Sequence, residues 1–246
     1  MQQDTYMHVF RHVLACVCAL PFVLTMCFRS TENKDRLTSL DRATQVIANY
    51  IGDASFACTG SLAAGMEGMD LLGCIIVGFV TALGGGTLRD IFLGRFPIWW
   101  MVAWDEFVLA IVVSTLTFFF WPCLSMRFHF TSTCECLFWT DALGLGVFAA
   151  AGAATGVLHG NLHVPACAFC GMCTATFGGL TRDLLIARPP RILYPRLEIY
   201  AVPAFAGGLA SSMLLKYLGG NLVMEAITLG VWVTMHARVF AVNHGF

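Results

Sequence analysis

A seven-residue stretch of this chain recurs with four of its positions unchanged. Gly84-Gly85-Gly86-Thr87-Leu88-Arg89-Asp90 is echoed 93 positions later by Phe177-Gly178-Gly179-Leu180-Thr181-Arg182-Asp183, each copy inside a long apolar stretch. Where apolar helices cross a bilayer, every backbone group must be satisfied internally. A glycine cluster followed by an Arg-Asp pair is tolerated only where protein or trapped water supplies the missing partners. A duplicated polar break of this kind restricts the fold to a polytopic membrane protein and points to a permeation path.

Composition agrees. The 246 residues are 58% hydrophobic and 12% charged, with a mean hydropathy of +0.74, too apolar for an ordinary soluble domain. A net charge of -1 carries no polyanion-binding signature, so nucleic acid is not an expected partner. Of the 14 basic residues, all but Lys34 and Lys216 are arginine, which favours fixed, hydrogen-bonded cations over solvated surface charge. The 11 cysteines fall mostly in apolar runs, where they act as small hydrophobic residues, and no disulfide is assigned.

Apolar stretches of about 20 residues predict seven spans: 42–65, 70–93, 103–121, 136–158, 163–187, 197–217 and 222–240. Turn-like segments separate them, among them 122–132 and Arg188 to Arg196. Residues 1–41 form an N-terminal extension, in which Val13 to Phe28 suits a targeting sequence or an extra helix and Ser30 to Asp41 reads as a polar linker. Lysine and arginine placement leaves the orientation open.

The repeat extends beyond the motif. Asn49 to Gly60 matches Asp141 to Gly152 at an offset of 92, and the offset becomes 93 by the Arg-Asp pairs, so one residue is gained in the intervening turn. Each copy is a unit of three spans, residues 42–134 and 135–217, and residues 218–246 carry a seventh helix and tail. Three is odd, so the second copy enters the membrane from the opposite face. The expected fold is therefore all-α, a seven-helix core of two inverted three-helix repeats plus a seventh helix, integral to the lipid bilayer and multi-pass.

In that arrangement the second and fifth spans meet near the midplane. Gly84, Gly85, Gly86, Gly178 and Gly179 leave a path unobstructed, and unwinding there frees carbonyl oxygens for a cation, helped by the hydroxyls of Thr81, Thr87 and Thr181. Arg89 and Asp90 are adjacent and point about 100° apart on a helix, so the expected pairs cross the repeats: Arg89 with Asp183 and Arg182 with Asp90. These four charges either line the path or anchor the half-helices at the interface. Asp53 and Asp141 are intramembrane carboxylates suited to gating or polar lining, or to a protonated structural role. They are not repeat equivalents, since Asp141 aligns with Asn49 and Asp53 with Leu145. Glu225 and His236 in the last span suit proton coupling or, the stronger reading, helix packing or an interfacial place, and Trp99, Trp100 and Trp104 suit an interfacial belt. Cys167, Cys170 and Cys173 lack metal-knuckle geometry and read as helix packing, so no metal and no cofactor is expected. No nucleophile-base pair is found either, and an enzyme is not expected.

At Gly68 to Gly73, Ala82 to Asp90 and Thr176 to Asp183 the chain resembles the bacterial-type trimeric intracellular cation channel family, also labelled a glycine transporter domain family. The resemblance covers about residues 42–240. It implies a seven-helix protomer in a homotrimer, with one pore per protomer between kinked second and fifth helices conducting monovalent cations such as potassium. Gly84 to Gly86, Arg89, Asp90, Gly178, Gly179, Arg182 and Asp183 are the matching positions. Phe177 departs from the pattern, in place of the first glycine of the second triplet, and is expected to narrow or stiffen that half. The lysine-glutamate lipid-linked motif of animal members is not evident. The alternative is a secondary transporter for glycine or another small zwitterion, its carboxylate facing a helix N-terminus or Arg89.

Overall fold

The computed structural model describes residues 34–102, 104–128, 135–160, 162–193, 199–218 and 222–244. Among these there are eight α-helices and no strand: α1 Lys34–Met66, α2 Leu71–Phe92, the short α3 Trp99–Val102, α4 Trp104–Phe128, α5 Glu135–Gly160, α6 Val164–Leu185, α7 Ala201–Leu218 and α8 Val223–His244. Five segments, in α2, α4, α5, α6 and α7, are long and apolar enough to cross a membrane. The apolar stretch Val13 to Phe28 lies outside the described residues.

Two boundaries differ from expectation. Helix α1 starts at Lys34, so most of the expected linker is helical. Hydropathy finds the part of a helix that lies in lipid, whereas no glycine or proline interrupts the chain between Lys34 and Gly52 to stop helix formation. Helix α4 likewise runs through Pro122 to Phe128 across a segment expected as a turn.

The termini of α2 and α6 are built alike. Helix α2 is capped by Asp70, whose carboxylate accepts from the Gly73 amide at 2.8 Å, and α6 starts after His163 with a proline in its first turn. Both end in the same motif: the amide of Arg95 donates to the carbonyl of Asp90 and that of Gly94 to Ile91, while Arg188 donates to Asp183 and Ala187 to Leu184. Gly94 has φ 63° and Ala187 φ 54°, the left-handed residue such a helix end requires.

The two repeats meet at two helix crossings. Across the first, the backbones of Gly52 in α1 and Gly144 in α5 touch closely, and the rings of Phe56 and Phe148 stand 5.5 Å apart. Across the second, a Cβ on Gly85 would lie 2.1 Å from the carbonyl oxygen of Thr174, and one on Gly178 would lie 2.1 Å from that of Thr81. Because the earlier residue of each helix faces the later one of the other, α2 and α6 run antiparallel, the relation that oppositely inserted copies require. Small residues permit this approach, so dispersion between backbones holds the crossing where no hydrophobic effect acts in lipid.

Helix α8 packs against α5 through Val147, Ala150, Ile227, Val231, Met235 and Val239, and against α7 where Ser211 donates to the Ala226 carbonyl, beside the second repeat. Helix α4 lies at the periphery. Its outer face exposes Trp104, Val108, Val112, Leu116 and Phe120, an unbroken i to i+4 ridge suited to lipid or a neighbouring subunit.

Candidate functional site

The glycine clusters do not unwind their helices. Residues 84–86 and 178–179 are continuous α-helix, and the threonines return their hydroxyl protons to helix carbonyls: Thr81 to Val77, Thr87 to Leu83, Thr174 to Cys170 and Thr181 to Phe177, at 2.6–2.8 Å. The expected freed carbonyls are therefore replaced by close helix packing, because a glycine stripe satisfies the need for proximity without breaking any hydrogen bond. Phe177 faces away from these contacts. Its ring turns toward Phe169 at 6.5 Å and lines neither pocket described below. Its equivalent Gly84 has room for a Cβ, whose nearest neighbours would be at 3.6 Å.

The charged residues pair within each repeat, not across. Arg89 binds Asp90 through Nε at 3.0 Å and Nη2 at 2.9 Å, and Arg182 binds Asp183 at 2.8 and 2.7 Å. The expected cross pairs fail because the helices are antiparallel. Six residues beyond the crossing on each helix, at about 1.5 Å per residue, put Arg89 and Arg182 about 18 Å apart along the axis. Adjacent residues can pair because the long arginine side chain folds back, and both pairs sit in the last helical turn, where the dipole favours a cation. The second carboxylate oxygen of each aspartate fastens the following loop. Asp90 accepts from the Trp99 amide at 3.3 Å, and Asp183 from the Arg191 amide at 2.9 Å.

Two polar pockets flank the crossing, and their linings correspond through the repeat. The larger, ≈ 850 Å³, includes Asn49, Ala82, Gly86, Arg89, Phe148 and Thr174. The smaller, ≈ 380 Å³, includes Asp141, Ala175, Gly179, Arg182, Phe56 and Thr81. Each residue of the first set is the repeat equivalent of its counterpart in the second. The touching rings of Phe56 and Phe148 therefore stand between the pockets, as do the apposed backbones of α2 and α6.

The pockets differ in charge. In the smaller one Asp141 is neutralised: Arg238 of α8 meets its carboxylate at 2.6 Å and the Tyr200 hydroxyl donates to it at 3.2 Å. Arg238 is 2% exposed and lies over the rings of Phe138 and Tyr200 at 4.7 and 4.9 Å. Sequence reasoning missed this residue, although an arginine inside an apolar run was the signal. In the larger pocket Asp53 is 1% exposed, and neither of its carboxylate oxygens has a hydrogen-bond partner.

The tryptophans separate by role. Trp100 donates to the Thr87 hydroxyl at 2.9 Å, the Trp99 indole lies against Gly86 in the larger pocket, and Trp104 is exposed. Cys167, Cys170 and Cys173 are buried free thiols in α6, and among the described residues no group of three or more His, Cys, Asp or Glu side chains is placed to hold a metal ion.

A family described as glycine transporter matches residues 46–122 and 138–216, one match per repeat. A UPF0126 membrane protein of Vibrio cholerae is 31% identical over 209 residues, covering 85% of this chain and 83% of that protein. The UPF0126 inner membrane protein YadS of Escherichia coli is 35% identical over 198 residues, 79% of this chain and 90% of YadS. Among solved structures, a TRIC cation channel studied for its conductance superposes with a TM-score of 0.72 at 32% identity, over 81% of this chain and 93% of that one. The trimeric intracellular cation channel orthologue from Rhodobacter sphaeroides gives 0.65 at 33% identity, over 80% and 97%. With both repeats matched and the fold shared, this chain is an integral, multi-pass membrane protein that belongs to the trimeric intracellular cation channel (TRIC) family.

Proposed function

We propose that the protein is a membrane channel for monovalent cations, potassium foremost, and that each protomer of a homotrimer carries its own path. The path runs from the larger pocket, past the Phe56–Phe148 pair beside the α2–α6 crossing, into the smaller pocket. The observation that carries this reading is the correspondence of the two pockets, polar and repeat-related, on either side of one thin septum. The solved relatives are cation channels by name, which supports the same assignment.

The chemistry suits weak, repeated contact and not tight capture. Gly86 and Gly179 leave the walls smooth, and threonine hydroxyls keep lone pairs after donating to the helix. Arg89 and Arg182 are each held by a carboxylate, which fixes their position and reduces the barrier they present to a cation. With the aromatic septum in place, the arrangement corresponds to a closed path, and conduction requires those rings to part.

Potassium flux from liposomes containing the purified protein tests this. The expected result is electrogenic flux, with unitary currents in planar bilayers. Saturable glycine uptake without unitary currents would instead establish the zwitterion transporter.

A further inference from the structure

The larger pocket contains buried oxygens that accept no hydrogen bond, beside one equally unpartnered donor, the Trp99 indole nitrogen. Asn49 and Asp53 are one turn apart on α1 and face the same way. Asn49 Oδ1 and both carboxylate oxygens of Asp53 are buried without a hydrogen-bond partner. Glu106 of α4 brings a second carboxylate to the same pocket. No buried side-chain oxygen of the smaller pocket is orphaned in this way among the described residues. There the equivalent of Asp53 is Leu145, and the equivalent of Asn49 is Asp141, already occupied by Arg238 and Tyr200.

A buried carboxylate without donors is costly unless a cation or a proton completes it. The groups acting on this one come from several elements. Glu106 of α4 acts on Asp53 through its charge and, when one of the two is protonated, through a carboxyl–carboxyl hydrogen bond; Asp105 opposes the Asp53 charge, and Arg89 of α2 attracts Glu106. Asp105 is exposed and accepts from the Tyr50 hydroxyl, and His159 of α5 stands exposed at the rim. Besides His159, the ionisable groups lining the pocket are Asp53, Glu106 and Arg89, and Arg89 is already paired with Asp90, so the two carboxylates have no cationic partner of their own. Carboxylate and amide oxygens select hard cations, and three side chains fall short of the roughly six to eight oxygens that a calcium site gathers, which leaves a weakly held monovalent ion as the better fit.

We propose that Asn49, Asp53 and Glu106 form a binding site for a single alkali-metal cation at the wider end of the path. The site rests on the conduction reading for its role: it loads cations from one side only. The repeats are thus unequal in function, one end of the path being a cation site and the other a pocket whose carboxylate is permanently paired.

The test is the thermal midpoint of the full-length protein in nanodiscs, with KCl exchanged for N-methylglucamine chloride at constant ionic strength. Ligand binding to the folded state raises the midpoint. The wild type is expected to show a potassium-dependent rise at about pH 8, where carboxylates are ionised. Asp53→Asn and Glu106→Gln should each raise the half-saturating potassium concentration about tenfold or more, as ligand charge sets affinity, and Asp53→Glu should restore part of it. A second variant, Asp53→Leu, copies the residue of the other repeat and should lose the effect while remaining folded. A potassium-dependent rise that persists unchanged in Asp53→Asn and Glu106→Gln, or one equal to that given by N-methylglucamine, overturns the site. Liposome flux measured in parallel separates the two claims: a rise lost in Asp53→Asn without any wild-type flux leaves the site standing and removes conduction, and the opposite pair of results does the reverse.

Discussion

Arg238 of the last helix and Asp141 of α5 meet at 2.6 Å, with the guanidinium between the rings of Phe138 and Tyr200. This contact ties α8 to the second repeat and fixes the charge of the smaller pocket. Removing one partner of a buried pair leaves the other uncompensated, at about 3–5 kcal/mol. Arg238→Met should therefore lower stability by that order in a denaturant titration in micelles. Asp141→Leu combined with Arg238→Met should recover most of the loss, since neither charge is then stranded. Arg238→Lys should fall between, because a lysine keeps the charge but not the planar stacking.

The crossing predicts a graded response to alanine. Gly85→Ala and Gly178→Ala place a methyl 2.1 Å from a backbone carbonyl oxygen, so the helices must separate. Each should cost about 1–3 kcal/mol, the usual penalty of overpacking. Gly84→Ala and Gly179→Ala, with nearest neighbours at 3.6 and 4.0 Å, should be close to neutral. Equal effects at all four positions would show that the glycines serve something other than this contact.

Asp90 and Asp183 are predicted to act as loop anchors. Asp183→Asn keeps the shape but weakens the bond from the Arg191 amide and the pair with Arg182. Hydrogen exchange should speed up at Arg191 in that variant, and at Trp99 in Asp90→Asn, with the helix interiors unaffected. Exchange spread evenly over α2 or α6 would contradict the assignment.

Ala187 takes a left-handed backbone, φ 54°, at the helix end where the other repeat has Gly94 at φ 63°. That geometry costs a non-glycine residue about 1 kcal/mol or more. Ala187→Gly should stabilise the protein by about 1 kcal/mol in thermal unfolding, and Gly94→Ala should destabilise it by a similar amount.

The repeat was legible because it is written in residue identities. The offset of 92 to 93 residues paired Gly85 with Gly178 and Thr81 with Thr174, and the structure places these four at the crossing of α2 and α6. What the glycines do there was not legible. A glycine cluster is equally consistent with an unwound helix and with a helix approached closely by another, and only the neighbouring backbone at Gly85 decides. The charge pairing was misjudged for a related reason. The helical angle between Arg89 and Asp90 was right, but it ignores a side chain long enough to fold back and the antiparallel placement that carries Asp183 to the far end. Arg238 was overlooked because its partner, Asp141, lies 97 residues earlier in the chain and no local spacing joins them. Asp53 was singled out from sequence, yet its lack of partners depends on what α2, α4 and α5 bring to the pocket.

The central claim is that cations pass between the two repeat-related pockets, through the septum formed by Phe56 and Phe148. Its most direct measurement is the unitary potassium current, in planar bilayers, of the Phe56→Ala/Phe148→Ala variant beside the wild type, with both confirmed as folded by size-exclusion chromatography. A path through this septum predicts a higher open probability or conductance in the variant. Potassium currents identical in the two proteins would contradict it and place the path elsewhere.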